Sequence, residues 1–418
     1  MKEFKTTHWV FFAKLKRYSG SMGTKSIILK SSISGLFITL LLFTFSRNDN
    51  TASTYESIAL LNSRCPPGFK LNADNACIAQ NLYLQYNSPN NKGVGGLQTG
   101  LPETRDGFSP QEIDLGRYLF FDPVLSGDGT ISCASCHNPR KGFSDGKSTS
   151  IGANNHKLKR SAPSLWNVAY LKRLFWDGRA STLEEQMQGP LFSQEEMNNT
   201  PENLLKTINS IKTYQHMFAE AFPEKEGGSP IQLAEIYTAI TAFQASLISL
   251  NSKYDRYAHG YHRALNEKEI EGMNVFRSFV ARCAECHTPP LFTNQQFAVI
   301  GTPEPDNLAL DAGAEIPFKD KTLRGAFKVP SLRNIEKTAP YMHSGYFKTL
   351  RETVAFYTKG RGHAVPENEH LILHWHIWDP QLSDYELDRL VDFLKTLTDE
   401  TFIPKVPETL PSGLKPSV

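Results

Sequence analysis

Apolar residues along this chain recur at helical spacing in several separate stretches, and the first of them follows Ser109. Ser109 and Glu112 form a capping-box pattern around Pro110, which marks the start of a helix. The predicted apolar face of this helix comprises Ile113, Leu115, Gly116, Leu119 and Phe120. Because glycine lowers helix propensity, Gly116 predicts a close approach of a second element at this point.

A second stretch, which begins at Asn266, repeats this design. Asn266 and Glu269 form another capping box, and the predicted apolar stripe comprises Ile270, Met273, Phe276 and Phe279. Each of the two helices leads to the same short motif, Cys-x-x-Cys-His, at residues 133–137 and at residues 283–287. This internal repeat predicts two domains of similar design.

Shorter helical signals occupy the remainder of the chain. Helix-start signals stand at Ser181, Thr200 and Ser383, and a longer apolar pattern runs over residues 231–250. Alternating, strand-like patterns are nearly absent, and residues 300–330 contain many Gly, Pro and Asp residues. The sequence therefore predicts a mainly α fold with long loops.

The charge of this chain of 418 residues is nearly balanced, with 45 Lys and Arg against 43 Asp and Glu. A net charge of +2 gives no reason to expect nucleic acid as a partner, and we predict none. The hydrophobic content of 40% is sufficient for packed cores, and the length suggests two or three domains.

The two Cys-x-x-Cys-His motifs carry the clearest chemistry. Two thiols at this spacing can bond to the vinyl groups of a haem, and the adjacent histidine then ligates the iron. The predicted attachment residues are Cys133, Cys136 and His137 for the first haem, and Cys283, Cys286 and His287 for the second. The alternatives are redox dithiols and, chiefly, zinc, but zinc sites do not require histidine directly after the second cysteine. We therefore predict two cytochrome c-like haem domains in tandem, with two covalently bound haem c groups.

The N-terminal part of the chain predicts export to the periplasm. A basic segment precedes an apolar run over residues 33–45, which is typical of a signal peptide, with an uncleaved N-terminal membrane anchor as the alternative. The two cysteines outside the haem motifs, Cys65 and Cys77, then predict one disulfide, with a pair of free thiols as the alternative. Export agrees with both the haem chemistry and the disulfide.

These signals divide the chain into five parts. We expect a signal peptide or anchor over residues 1–46 and a loop-rich lead-in with the disulfide over residues 47–104. The N-terminal haem domain then covers residues 105–260, the C-terminal haem domain residues 261–402, and a tail residues 403–418.

Further stretches at residues 115–123, 175–180, 196–198, 332–334 and 338–345 complete a specific pattern. With them, the chain resembles the bacterial di-haem cytochrome c peroxidase family, which includes the MauG-type enzymes, from about residue 105 to residue 400. The resemblance implies that hydrogen peroxide reacts at the N-terminal, peroxidatic haem. It also implies that the C-terminal haem transfers electrons and that Trp176 is a relay between the haems.

Two positions distinguish the branches of this family. The ordinary peroxidases carry Ser-Ile-Gly-His after the first haem, and that histidine can cap the resting iron, whereas this chain has Ala153 in its place. His156 lies three positions off register and is either a replacement ligand or a solvated side chain. At the second haem, Tyr357 follows His343 by fourteen residues, where the peroxidases have Met and the MauG-type enzymes have Tyr. The resemblance implies an open first iron and Tyr357 as a ligand of the second iron, with a packed helix tyrosine as the alternative.

The resemblance also implies a catalytic pocket beside the first haem. Gln186, Pro190 and Glu196 fall at the spacing with which the family lines that pocket. A carboxylate there can take a proton from peroxide and return it to the leaving oxygen as a general acid and base. The alternatives are a helix-surface position for Glu196 and a core position for Trp176.

The remaining metal predictions are a calcium ion and a histidine site. The family has calcium between the domains, and the backbone oxygens of Thr338 and Pro340 match its ligands, but Ser161 replaces the usual Asn. A hydroxyl is a weaker donor to this hard cation. Four histidines near the C-terminus either bind a metal or form a solvated polar face: His363, His370, His374 and His376.

Together these features favour an exported di-haem oxidoreductase that uses hydrogen peroxide to oxidise a side chain of a secreted partner protein through a high-valent di-haem state. The layout, with Cys-Pro-Pro-Gly-Phe at residues 65–69, looks most like the MauG-like enzymes of copper and methanobactin systems, which oxidise a Trp. One alternative is a hydrogen-peroxide-scavenging peroxidase fed by a small electron-donor protein. The other is a di-haem electron carrier without enzymatic activity, which an open iron argues against.

Overall fold

A computed structural model describes residues 61–85, 101–225, 228–305, 308–359, 365–366 and 368–418, all within one unit that comprises residues 56–418. As predicted, this part of the chain is mainly helical. Its helices are α1 (Pro110–Phe121), α2 (Cys133–Cys136), α3 (Leu183–Phe192), α4 (Pro201–Ser210), α5 (Lys212–Ala221), α6 (Leu233–Ala245), α7 (Lys253–Ala258), α8 (Glu267–Arg277), α9 (Cys283–Cys286), α10 (Glu315–Phe318), α11 (Leu350–Phe356) and α12 (Asp384–Lys395).

In the described part of the chain, four short strands form two antiparallel pairs, β1 (Phe69–Leu71) with β2 (Cys77–Ala79) and β3 (Phe297–Val299) with β4 (Ala326–Lys328). The apolar run at residues 33–45 lies outside the described residues. None of the helices that the structure describes combines the length and apolar character that a membrane crossing requires.

The first helix begins where its capping box predicts. The Glu112 N–H donates to Ser109 Oγ at 3.1 Å, and the Ser109 N–H donates to the Glu112 carboxylate at 2.7 Å. Helix α1 packs along α6 with Gly116 at the contact. A Cβ added to Gly116 would lie 1.8 Å from the carbonyl oxygen of Ala239. Only glycine allows this approach, so the predicted close contact at Gly116 is confirmed.

The second helix pair repeats this packing. Asn266 and Glu269 cap α8 reciprocally, and α8 packs along α12. A Cβ added to Gly272 would lie 1.9 Å from the carbonyl oxygen of Arg389 and 2.9 Å from the Cβ of Phe393. The corresponding contact of Gly116 is the Cβ of Phe243, at 3.0 Å. The repeat seen in the sequence therefore extends to the contact between the helices.

Three predicted details are wrong. Helix α8 ends at Arg277 because Ser278 adopts an extended backbone, so Phe279 does not extend the buried stripe and is 77% exposed. The helix predicted over residues 231–250 is confined to α6, although Leu247 and Leu250 beyond it are buried. An apolar pattern predicts burial rather than helix, and here Leu247 and Leu250 are buried in a loop. The cap of α3 is Thr182 rather than Ser181, because the Thr182 side chain accepts from the backbone of Glu185.

The chain segments at both ends of the described part pack onto the helices. The predicted disulfide is present, with the Cα atoms of Cys65 and Cys77 5.6 Å apart. In the C-terminal tail, Leu410 is buried, Ser412 Oγ donates to Asp122 at 2.7 Å, and the hydroxyls of Ser417 and Ser135 lie 2.9 Å apart. The tail therefore covers the end of α1 and reaches the first Cys-x-x-Cys-His motif.

A buried ion pair holds the surroundings of the second motif. Both side chains of the Arg333–Asp255 pair have no exposed surface, and two hydrogen bonds of 2.6 and 2.7 Å join them. The Tyr83 hydroxyl donates to the same carboxylate at 2.5 Å, and Arg333 Nε donates to the carbonyl of Pro290 at 2.8 Å. This network fixes the loop that follows His287 against the N-terminal lead-in.

Candidate active site

The first Cys-x-x-Cys-His motif forms the single turn α2 and the residue that follows it. The His137 N–H donates to the carbonyl of Cys133 at 2.9 Å, and Nδ1 of its ring lies 2.9 Å from the carbonyl of Phe143. A carbonyl only accepts, so Nδ1 carries the proton and Nε2 is left with a lone pair. Burial lowers the pKa of His137, which favours the neutral imidazole that an iron ligand must be.

The second motif has the same arrangement in α9. Nδ1 of His287 lies 3.2 Å from the carbonyls of both Phe292 and Pro330. Burial lowers the pKa of His287 to about 4, against the weaker opposite effect of these two carbonyls. Both histidines are therefore neutral and oriented by backbone oxygens, as proximal ligands of metals usually are.

The four motif cysteines are free in this structure. Burial raises the pKa of Cys133 and that of Cys283 to about 12, and burial together with Asp145 and Glu196 raises the pKa of Cys136 to about 11. The thiols are therefore neutral, and a histidine directly after each pair of cysteines matches the haem-attachment pattern, which zinc sites do not require.

A cavity of about 260 Å³ adjoins the second motif and suits a haem. Cys283, Cys286 and His287 line it, together with Tyr357 and Lys328. Lys328 is buried, and among the described residues no carboxylate forms an ion pair with it. Burial lowers the pKa of its ammonium to about 8. An unpaired buried cation fits the carboxylates that a haem carries.

Unsatisfied polar atoms also mark the surroundings of the first motif. Among the described residues, Asp145 Oδ2 and Thr149 Oγ1 are buried without a hydrogen-bond partner. Asp145 is close enough for its charge to raise the pKa of Cys136. Buried polar groups are normally paired, so these atoms indicate a group that belongs there. The residues at both motifs therefore fit haem.

Tyr357 follows the last residue of α11 and lines the cavity at the second motif. Burial raises the pKa of its hydroxyl well above the usual value, and the nearby thiols of Cys283 and Cys286 act in the same direction. A metal ion would have to offset this effect for the phenolate to form. That Tyr357 is an iron ligand stays a prediction.

His343 shares this cavity but its imidazole has other partners. Nε2 lies 2.8 Å from the carboxylate of Glu304, and the ring stacks on Phe327 with centroids 3.8 Å apart. Sequence reasoning did not identify Glu304 or Lys328. The sequence contains only a weak indication that Lys328 is buried, which is its position between the apolar residues Phe327 and Val329.

Trp176 lies between the surroundings of the two motifs. Its Nε1–H donates to the carbonyl of Ser161 at 2.9 Å, and its carbonyl accepts from the backbone N–H of Lys328 at 2.8 Å. Two residues after Ser161, the carbonyl of Pro163 acts on the ring of His137. Trp176 is thus joined to the first motif by the 161–163 segment and to the second by the cavity.

Glu196 is held beside the first motif by a close backbone contact. A Cβ added to Gly152 would lie 1.9 Å from the carbonyl oxygen of Glu195. The next residue, Ala153, is buried, and its N–H donates to the carbonyl of Glu196 at 2.7 Å. Burial raises the pKa of Glu196, Arg179 opposes that shift, and the charge of Glu196 in turn acts on Cys136.

The other two predicted pocket residues lie on α3. Gln186 and Pro190 are one turn apart on the same helix face. The carbonyl of Pro190 accepts from the N–H of Met197 at 3.0 Å, which ties this helix to the segment that carries Glu196. The structure therefore brings Gln186, Pro190 and Glu196 into one region, and their catalytic roles stay predictions.

His156 lies at the surface. Its side chain is 48% exposed, and its Nε2 is 3.6 Å from the carboxylate of Glu195. This position favours the solvated side chain over the replacement ligand.

The residues of the predicted calcium site line the same cavity. They are Ser161, Thr338 and Pro340. The Ser161 hydroxyl donates to the carbonyl of Met342 at 2.9 Å, and the Thr338 hydroxyl donates to that of Ile335 at 3.2 Å. Calcium binding stays a prediction.

Two of the four C-terminal histidines also reach the second motif. One ring nitrogen of His374, one of His376 and the Sγ of Cys286 lie within 4.8 Å of one another. His376 Nε2 is 2.7 Å from the carboxylate of Glu285. His363 lies outside the described residues.

Comparisons with known proteins agree on one family. A family model described as di-haem cytochrome c peroxidase matches residues 110–263. The chain is 34% identical to cytochrome c551 peroxidase of Nitrosomonas europaea, over 77% of this chain and 89% of that protein. It is 35% identical to the methylamine utilization protein MauG of Methylorubrum extorquens, over 70% of this chain and 79% of that protein.

Solved structures give the same result. One is a MauG-like protein associated with microbial copper homeostasis, with a TM-score of 0.64 and 35% identity over 71% of this chain and 92% of that chain. Another is the di-haem peroxidase BthA from Burkholderia thailandensis, with a TM-score of 0.60 and 29% identity over 73% of this chain and 90% of that chain.

Proposed function

We propose a function on the premise that this chain belongs to the di-haem cytochrome c peroxidase family, which includes MauG, and is a peroxidase-type oxidoreductase. In this proposal it is an exported, periplasmic enzyme that uses hydrogen peroxide to oxidise a side chain of a secreted partner protein. Its two haem domains in tandem hold haem c through Cys133, Cys136, Cys283 and Cys286.

One observation carries this proposal, and it concerns the residue at the position of the family's capping histidine. Ala153 takes the place of the histidine that caps the resting iron in the ordinary peroxidases, and its N–H is bonded to the carbonyl of Glu196. His156 is half exposed beside Glu195, which supports a solvated side chain rather than a replacement for that histidine. Peroxide should therefore react with the fully oxidised protein, without prior reduction.

The haems supply the redox chemistry with peroxide. Glu196, whose pKa is raised by burial, takes a proton from peroxide and returns it to the leaving oxygen. Gln186 orients the distal oxygen from α3. Trp176 connects the first motif to the second. Tyr357 would hold the second haem as an anionic oxygen ligand once the metal offsets the raised pKa of its hydroxyl, and such a ligand would favour a high oxidation state of iron.

The second candidate is a peroxidase that removes hydrogen peroxide with electrons from a small donor protein. The observation in its favour is the equal similarity to both kinds of relative. Cytochrome c551 peroxidase of Pseudomonas aeruginosa is 35% identical to this chain, as is MauG of Methylorubrum extorquens. Such an enzyme would need an activating reduction, which an uncapped first haem does not require.

Mixing the diferric protein with one equivalent of hydrogen peroxide separates the two candidates. We expect peroxide consumption and a change in the Soret absorption without any added reductant. The same mixture after one-electron reduction is the control. If peroxide is consumed only by the reduced sample, the chain is an ordinary peroxidase and the leading proposal is wrong.

A further inference from the structure

Large aromatic side chains cluster on the surface beside the second motif. Phe279, Trp375 and Trp378 are 77%, 64% and 41% exposed. Their rings surround the guanidinium of Arg282, with centroid distances of 4.0, 5.8 and 5.7 Å. Arg282 directly precedes Cys283. We call these four residues the aromatic patch. Contiguous exposed aromatics of this size are unusual on a soluble surface without a use.

One member of the aromatic patch also reaches the interior. The ring of Trp375 lies 3.5 Å from the ring of His376, measured between centroids. The His376 side chain is only 14% exposed and lines the cavity at the second motif. A ring nitrogen of His376 is within 4.8 Å of the Sγ of Cys286. Two adjacent residues therefore span the distance from solvent to a predicted haem attachment point.

We propose that Trp375 is a surface electron relay that connects the partner protein with the second haem. This inference takes its oxidant, hydrogen peroxide, from the proposed function. The Trp375 indole gives one electron inward past His376 and releases its N–H proton to water. The partner side chain then returns one electron and one proton. Two such cycles remove two electrons and two protons from the partner, and these reduce one hydrogen peroxide to two waters.

Trp378 provides a matched comparison within the same patch. It is also exposed and also contacts Arg282, but its described contacts do not include His376. A role of the patch in packing alone would involve both tryptophans. A relay role singles out Trp375, and it should survive replacement by tyrosine, which can also lose an electron and a proton, but not by phenylalanine.

Spin-trap labelling of the holoprotein tests the relay. Peroxide is added with a nitroso spin trap and no partner, and peptide mass spectrometry locates the adducts. We expect an adduct on Trp375, its loss in Trp375→Phe, an adduct on the introduced tyrosine in Trp375→Tyr, and no change at Trp375 in Trp378→Phe. Absence of any adduct on Trp375 while peroxide is consumed would overturn the inference. Loss of the Trp375 adduct in Trp378→Phe would also overturn it.

A photochemical experiment separates this inference from the proposed function. A flash-generated ruthenium tris(bipyridine) oxidant is applied to the holoprotein with both haems reduced, so no peroxide is needed. The transient absorption of the second haem should show fast oxidation in wild type, Trp375→Tyr and Trp378→Phe, and its loss in Trp375→Phe. An unchanged rate in Trp375→Phe rejects the relay even if peroxide reacts, and a diferric protein inert to peroxide rejects only the proposed function.

Discussion

Replacing Gly152 by alanine perturbs the peroxide site without removing any functional group. Gly152 has φ −99° and ψ −157°, which any residue adopts, so the backbone itself tolerates the change. The new Cβ, however, would lie 1.9 Å from the carbonyl oxygen of Glu195 and 2.9 Å from the Cα of Glu196. The effect of Gly152→Ala is therefore a displacement of the segment that carries Glu196.

The size of that displacement follows from the contact distances. Ordinary contact for a Cβ begins near 3.4 Å, so the carbonyl of Glu195 must move by about 1.5 Å. That movement breaks the 2.7 Å hydrogen bond from Ala153 to Glu196. A misplacement of about 1 Å at a catalytic group can cost about 10²-fold in rate. We expect Gly152→Ala to slow the peroxide reaction by about that factor.

Stopped-flow absorption with excess peroxide measures the rate, and the haem content of each variant is checked first. Glu196→Gln should slow the reaction by about 10²–10⁴-fold if Glu196 is the general acid and base. The double variant Gly152→Ala/Glu196→Gln should react no more slowly than Glu196→Gln alone, because both substitutions act on the same proton transfer by Glu196. The exposed neighbour His156 provides the control, and His156→Ala should react like wild type. A Gly152→Ala protein that reacts at the wild-type rate would refute this account of how Glu196 is positioned.

The pH dependence of the same rate tests the role of Glu196, because burial raises the pKa of this carboxyl group and a base works only when deprotonated. The rate should fall as the pH drops through that raised pKa, and this fall should be absent in Glu196→Gln. Tyr357→Phe should abolish the low-spin EPR signal of the second haem, while an unchanged spectrum would assign the ligand to another residue. Arg333→Met should lower the free energy of unfolding by about 3–5 kcal/mol, since it leaves Asp255 charged and unpaired at zero exposure, and Asp255→Asn combined with Arg333→Met should cost less. Burial alone would raise the pKa of Asp255, but Arg333 holds that pKa below its usual value of 3.8. The ion pair therefore stabilises the folded protein at neutral pH, and this stabilisation is lost only as the pH falls through the lowered pKa. The mass of the purified protein should exceed that of the polypeptide by two haem groups, and a mass with one haem or none would contradict the attachment at Cys133, Cys136, Cys283 and Cys286.

The helical repeat could be predicted from sequence because its signals are local. Capping boxes at Ser109 and Asn266 need only residues three positions apart, and both are present in the structure. Gly116 was identifiable because glycine inside an apolar helix usually marks a close contact. The same reasoning failed at Phe279, whose apolar character suggested burial. An exposed apolar side chain has the same sequence signal as one in the core.

The chemistry of the motifs was also readable from spacing. Cys-x-x-Cys-His fixes two cysteines and one histidine within five positions, so residues 133–137 and 283–287 can be recognised as candidate haem-attachment motifs without knowledge of the fold. The family stretches then supplied Trp176, Glu196 and Tyr357 by position. Their surroundings, including the backbone contact of Gly152 and the partners of His343, could not be read in this way.

By itself, the sequence predicted which residues can hold a cofactor and located the starts of α1, α8 and α12, because thiol spacing and caps are properties of neighbouring residues. Only the tertiary structure decided which side chains meet across long separations. It buried Lys328 with no ion-pair partner among the described residues, brought a ring nitrogen of His376 within 4.8 Å of the Sγ of Cys286, and placed Trp375 at the surface beside His376. The contact between Cys286 and His376 joins segments that lie about 90 residues apart in the chain, and its energy depends on burial and distance, which no local pattern encodes.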